Sequence, residues 1–86
     1  MTKEEFNIAF NDKLDGWAQG DTVDFRKHIT YDIKNDRVTI YDHHYCTLLP
    51  SEIEDMTETM LYYITYLTYR AAGMFYNYAR EDEVED

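Results

Sequence analysis

Between Glu52 and Arg80 the chain has no proline and a single glycine, Gly73. That span reads as one helix, and everything else in the molecule must accommodate it. Pro50 and Ser51 open it. Ser51 with Glu54 three residues on has the pattern of a capping box, and Glu52, Glu54 and Asp55 lie at the positive end of the helix dipole. The predicted helix covers residues 52–80 and is roughly 45 Å long. Along it Ile53, Met56, Met60, Ile64, Leu67, Ala71, Met74 and Tyr78 recur at spacings of three and four, the pattern of a core stripe. Tyr62, Tyr66, Tyr69 and Tyr76, with Gly73 completing the row, form a second line. Two helix positions are about 200° apart, so this row lies nearly opposite the first. A helix that is apolar or aromatic on both sides must be covered on both, or it presents an adhesive surface.

The first half of the chain supplies the cover. Thr2 with Glu5 is another capping box, and Phe6, Ala9, Phe10, Leu14 and Trp17 follow at helical spacing. This predicts a helix over 3–18, weakened by Gly16 and ended by Gly20. Residues 22–33 then alternate with period two, as a half-buried strand does. Asn35 and Asp36 tolerate a left-handed backbone and suit a two-residue hairpin turn before a second strand over 37–48. In that register Ile33 meets Val38 and Tyr31 meets Ile40, so the apolar sets coincide. Lys27, Asp42 and His44 fall on the apolar face, which calls for a bend or a bulge. The fold class is therefore α+β: a helix–β-hairpin–helix (αββα) with a long C-terminal helix on a two-stranded antiparallel ribbon. Residues 1–80 form one domain. Residues 81–86 form an acidic tail, expected to fray because its charge sits at the negative end of the dipole.

The charge balance restricts partners. Eighteen acidic and 8 basic residues in 86 leave a net charge of −10. Such a field repels nucleic acid and anionic membranes and favours a basic protein surface. Cys46 is the only cysteine, so no intramolecular disulfide forms. The start "MTKEEF" has no apolar segment of the kind a signal peptide needs, and no stretch reads as a membrane span. A cytoplasmic location is expected.

Chemistry-bearing residues are few. In the expected register His28 lies opposite His43, and the pair could take zinc with Asp24 or Asp32. The signal is weak, and solvated surface histidines are the better reading. Cys46 has His44 two residues away, but no oxyanion site adjoins it, and a small buried apolar residue is the better account. No phosphate-binding loop, zinc-finger spacing or hydrolase motif is present. The expectation is a protein without enzymatic activity, cofactor or metal.

The tyrosine row and the acidic clusters point to a protein partner. Tyrosine buries a large area at low entropic cost and can satisfy its hydroxyl across an interface. Asp12, Asp15, Asp21 and Asp24 make one acidic cluster, Glu52, Glu54, Asp55 and Glu58 a second, and residues 81–86 a third. Spaced carboxylates on a rigid body can stand in for the phosphates of a nucleic acid. In size, charge and aromatic content alone, the chain resembles the small acidic proteins that phages direct against host restriction, CRISPR or transcription machinery. The expected function is that of a decoy bound to a basic, nucleic-acid-binding surface. Two alternatives are a homodimeric adaptor pairing through Tyr62, Tyr66, Tyr69, Gly73 and Tyr76, and an immunity protein against a nuclease toxin.

Overall fold

The computed structural model describes residues 1–19 and 25–84, with side chains as far as residue 77. Helix α1 spans Lys3–Ala18, as its capping box predicts. The Glu5 amide donates to Thr2 Oγ1 at 3.1 Å, and the Thr2 amide donates to Glu5 Oε1 at 3.1 Å. The bond from the Thr2 amide, with the Thr2 side chain beside it, holds the Glu5 carboxyl below its usual range. Phe6, Phe10 and Leu14 leave α1 on one side and are fully buried.

The predicted first strand is shorter than its alternation suggests. A single 3₁₀ turn, Arg26–His28, interrupts it, and β1 covers only Ile29–Asp32. Residues 22–24 of the expected strand lie outside the described residues. The turn brings Arg26 back to α1. Its guanidinium donates to the Ile29 carbonyl at 3.0 Å and to the Asn11 side-chain oxygen. Arg26 Nε lies 3.0 Å from Asp15 Oδ1, an ion pair rather than a well-aligned hydrogen bond.

Strand β2 spans Arg37–Ile40 and pairs antiparallel with β1, Ile29 opposite Ile40 and Tyr31 opposite Val38. This register differs by two residues from the expected one. A two-residue slip keeps every side chain on its face, so the hydrophobic pattern cannot tell the two apart. Local chemistry decides for the longer turn. Asp32 Oδ1 accepts from the Lys34 amide at 3.0 Å, and Asp32 Oδ2 accepts from the Asn35 side chain at 2.6 Å. The bond from the Asn35 side chain, with those from the backbone, lowers the Asp32 pKa. Asp36 completes the turn at a left-handed φ of 51°.

The second expected strand reverses direction midway. Tyr41 and Asp42 adopt φ of 52° and 66°, the left-handed pair of a type I′ turn. The bend expected near Asp42 is thus a full hairpin, and β3 covers His43–Thr47. The ribbon has three strands in the order β1-β2-β3, not two. A bulge between Val38 and Thr39 leaves Tyr45 as the extra residue of β3.

The long C-terminal element also divides. Helix α2 spans Pro50–Glu54 and α3 spans Glu58–Val84, so α3 continues through residues 81–84. Pro50 opens α2, and Glu52 rather than Ser51 caps it, accepting from the Leu49 amide at 2.7 Å. Thr57 caps α3, its Oγ1 accepting from the Met60 amide at 3.2 Å. The Met1 ammonium group donates to the Glu54 carbonyl at 2.9 Å and ties α1 to α2.

Helix α3 packs on α1 and on the sheet through a narrow line: Leu61, Thr65, Thr68 and Ala72. Each lies one residue beyond the stripe expected at Met60, Ile64, Leu67 and Ala71, so the helix is turned by about 100°. Thr65 and Thr68 bury their hydroxyls by donating to the carbonyls of Leu61 at 2.6 Å and Ile64 at 2.7 Å. Phe10→Ala should cost about 3–5 kcal/mol in urea denaturation, because it empties the core beneath Tyr31. Ile8→Ala, on the exposed side of α1, should change stability by less than about 0.5 kcal/mol.

Candidate functional site

The rotation of α3 decides what its two rows meet. The tyrosine row flanks the buried line on one side. Trp17, near the end of α1, meets three of its rings at centroid distances of 5.7 Å for Tyr62, 6.0 Å for Tyr66 and 5.9 Å for Tyr69. Phe25 lies over the far half, 5.6 Å from Tyr69 and 5.5 Å from Tyr76. A Cβ at Gly73 would meet the Phe25 ring at 3.8 Å, ordinary contact distance. Tyr69, Gly73 and Tyr76 are thus half-buried beneath Phe25, while Tyr62 and Tyr66 stay 46% and 39% exposed.

What remains outside is a platform of parallel rings. Tyr62 and Tyr66 lie 6.1 Å apart with an interplanar angle of 4°, and Tyr63 stands edge-on to Tyr62 at 5.9 Å. The Arg70 guanidinium lies 5.8 Å from the Tyr66 ring centre, within cation–π range. Trp17 braces the platform from beneath, which limits the ring motion that binding must arrest. Lys13, Glu58, Thr59, Tyr62 and Tyr63 line a shallow hollow of about 360 Å³ at its near end.

The acidic residues are distributed around this platform in unequal ways. Asp12 and Asp15 are exposed on α1, and Asp15 is engaged by Arg26. Asp21 and Asp24 lie outside the described residues. Glu52, Glu54 and Asp55 are exposed on and just after α2, and Glu58 opens α3 beside the hollow. The Glu52 carboxylate already serves its helix cap. Glu58 is therefore the carboxylate that the structure brings against the tyrosines.

On the opposite flank, Met60, Leu67 and Met74 are 43%, 53% and 57% exposed, and Tyr63 beside them is 58% exposed. Tyr45, Leu67, Arg70, Ala71, Met74 and Phe75 line an apolar groove of about 410 Å³ between α3 and β3. Sequence periodicity assigns Met60, Leu67 and Met74 to the core. The paired threonines at 65 and 68 are the signal for the other phase, since each can bury its hydroxyl on its own helix.

The expected cross-strand histidine pair does not form. His28 lies in the 3₁₀ turn and stacks on Tyr41 at 4.1 Å, whereas His43 opposes Ile40 and stacks on Phe75 at 5.9 Å. His44 bonds Thr47 Oγ1 at 2.7 Å. Among the described residues no three of the His, Cys, Asp and Glu side chains gather as a metal site. No described helix is long and apolar enough to cross a membrane.

Burial, with Glu52 nearby, pushes the Cys46 thiol up, away from the reactive thiolate. Burial and the bond from its hydroxyl to Asp36 Oδ1 at 3.1 Å push Tyr31 up as well. Comparison with protein-family models, curated proteins and solved structures gives no match.

Both raised values favour the neutral group in the folded state. The stability they protect is complete below the unfolded values, near 8.5 for cysteine and 10 for tyrosine. It is lost as pH climbs past those values toward the folded ones. The urea midpoint, followed by Trp17 emission, should fall between about pH 8 and pH 11. Cys46→Ala should remove the earlier part of that fall, and Tyr31→Phe should reduce the later part.

Proposed function

We propose that this protein is a small acidic binding protein of the decoy type, which occupies a basic, nucleic-acid-handling surface of another protein. The observation that carries the reading is the exposed pair of parallel rings Tyr62 and Tyr66, braced by Trp17 and bordered by Glu58, on a chain of net charge −10. Flat rings on a rigid helix can stack against the aromatic and arginine side chains that a nucleic-acid site uses for bases. Exposed carboxylates at Asp12, Glu54, Asp55 and Glu58 then meet lysines and arginines that otherwise hold phosphates. The charge brings the partners together, and the rings supply short-range selectivity.

The half-buried Tyr69, Gly73 and Tyr76 contribute by fixing the platform rather than by reaching the target. Phe25 covers them, so the contact is centred on the first half of α3.

The test is capture on immobilised protein from a lysate rich in nucleic-acid-binding proteins, run at low and at high salt. A specific protein should be retained at low salt, released at high salt and displaced by duplex DNA. Tyr62→Ala with Tyr66→Ala, or neutralisation of Asp12, Glu54 and Glu58 together, should weaken retention at least tenfold. Retention indifferent to both salt and DNA overturns the reading.

A further inference from the structure

The outward flank of α3 is self-complementary, and we infer that it pairs with the same flank of a second copy in a symmetric, antiparallel dimer with Leu67 on the twofold axis. This rests on a different face from the target platform and is independent of any target.

The exposed apolar residues recur at heptad and half-heptad spacing: Met60, Tyr63, Leu67 and Met74. That spacing makes a continuous apolar line along one side of the helix, of the kind through which two helices pair. An antiparallel pair centred on Leu67 places Met60 of one copy against Met74 of the other. It also places Tyr63, the most exposed of the described rings on α3, over Ala71. Ala71 lies in the groove of about 410 Å³ that Tyr45, Leu67, Met74 and Phe75 also line. The largest projecting side chain thus faces the smallest residue of a preformed apolar hollow, and the twofold repeats that fit at the other end. A twofold contact demands this relation, since each surface must supply both knob and hole.

Area and charge agree with that occupant. The four seam residues with Arg70, Ala71 and Phe75 offer on the order of 600 Å² per copy, near the lower range of specific interfaces. That is about a tenth of the chain's exposed surface of 5960 Å². Repulsion between two chains of −10 is weak at this seam, because residues 59–80 include no carboxylate and the groove carries Arg70.

Light scattering and sedimentation of the full chain should give twice 10.4 kDa at high micromolar concentration. Leu67→Asp places two carboxylates on the axis and should return the monomer mass with unchanged helical circular dichroism. Ala71→Trp, which fills the hollow, should weaken the dimer at least tenfold. In a Cys46→Ala background, Leu67→Cys should oxidise to a covalent dimer, since residues on the axis approach within disulfide range. Ile8→Cys should not. A wild-type monomer at high concentration overturns the inference. So does a dimer that survives Leu67→Asp, or one broken only by Tyr66→Glu, which would put the contact on the tyrosine side.

Discussion

The molecule depends on how closely α3 can lie against α1 and the sheet. The line that makes this contact, Leu61, Thr65, Thr68 and Ala72, is built mostly of small side chains. Had the larger Met60–Ile64–Leu67 stripe faced inward, α3 would stand further off, and the space beneath it is already filled by Phe6, Phe10 and Leu14. Close approach sends the bulky rows outward to either side. On one side they find Trp17 and Phe25; on the other they find Tyr45 and the His43 ring. The threonines meet the polar cost of this arrangement locally, because each hydroxyl has a carbonyl four residues back. One choice of helix phase therefore fixes the core, the aromatic platform and the apolar groove together.

The sheet holds that seat in place through Asp36. Its carboxylate accepts from the Tyr31 hydroxyl at 3.1 Å and pairs with Lys3 Nζ at 3.1 Å, while its carbonyl accepts from the Leu48 amide at 2.8 Å. A single turn residue thereby joins the start of α1, the first strand and the chain leaving β3. Tyr31 is the reason this matters for packing. Its ring meets Phe6 edge-on at 5.0 Å, so the hydroxyl bond orients the face against which α1 rests. The left-handed backbone at Asp36 suits a short polar side chain, which also explains why an acid occupies the position.

How much of this was legible in the sequence follows from the range of the forces involved. Helix α1 and its cap were legible to the residue, because capping chemistry is local to Thr2 and Glu5. The α+β order and the left-handed turn near Asp36 were legible for the same reason. The split of the second strand was only half visible. Asp42 and His44 on an apolar face signalled a departure from regularity, but Tyr41 is an unusual residue for a type I′ turn, so nothing marked a reversal there. The break at residues 55–57 was hidden because Met56 keeps the apolar spacing across it; Thr57 was the missed cap. The phase of α3 was illegible to periodicity. Both flanks of the helix are apolar, and beyond the threonines at 65 and 68 only the tertiary contact with α1 and the sheet selects the line between them.

The same phase separates two kinds of surface that the sequence interleaves. Residues 59–80 carry no acidic side chain, so the acidic residues lie on α1, in the segment 21–42, on and after α2, and towards the two ends of α3. The platform of Tyr62 and Tyr66 and the seam of Met60, Leu67 and Met74 leave the helix on opposite flanks of its buried line. The inferred pairing through the seam would leave the Tyr62–Tyr66 platform of both copies uncovered. It also doubles the net charge from −10 to −20 on one rigid body. A stronger field would raise the encounter rate with a basic surface, and two platforms on one particle would raise the effective concentration for a partner with paired sites. The proposed self-association and the proposed target binding would therefore reinforce one another physically, since they use different flanks of α3.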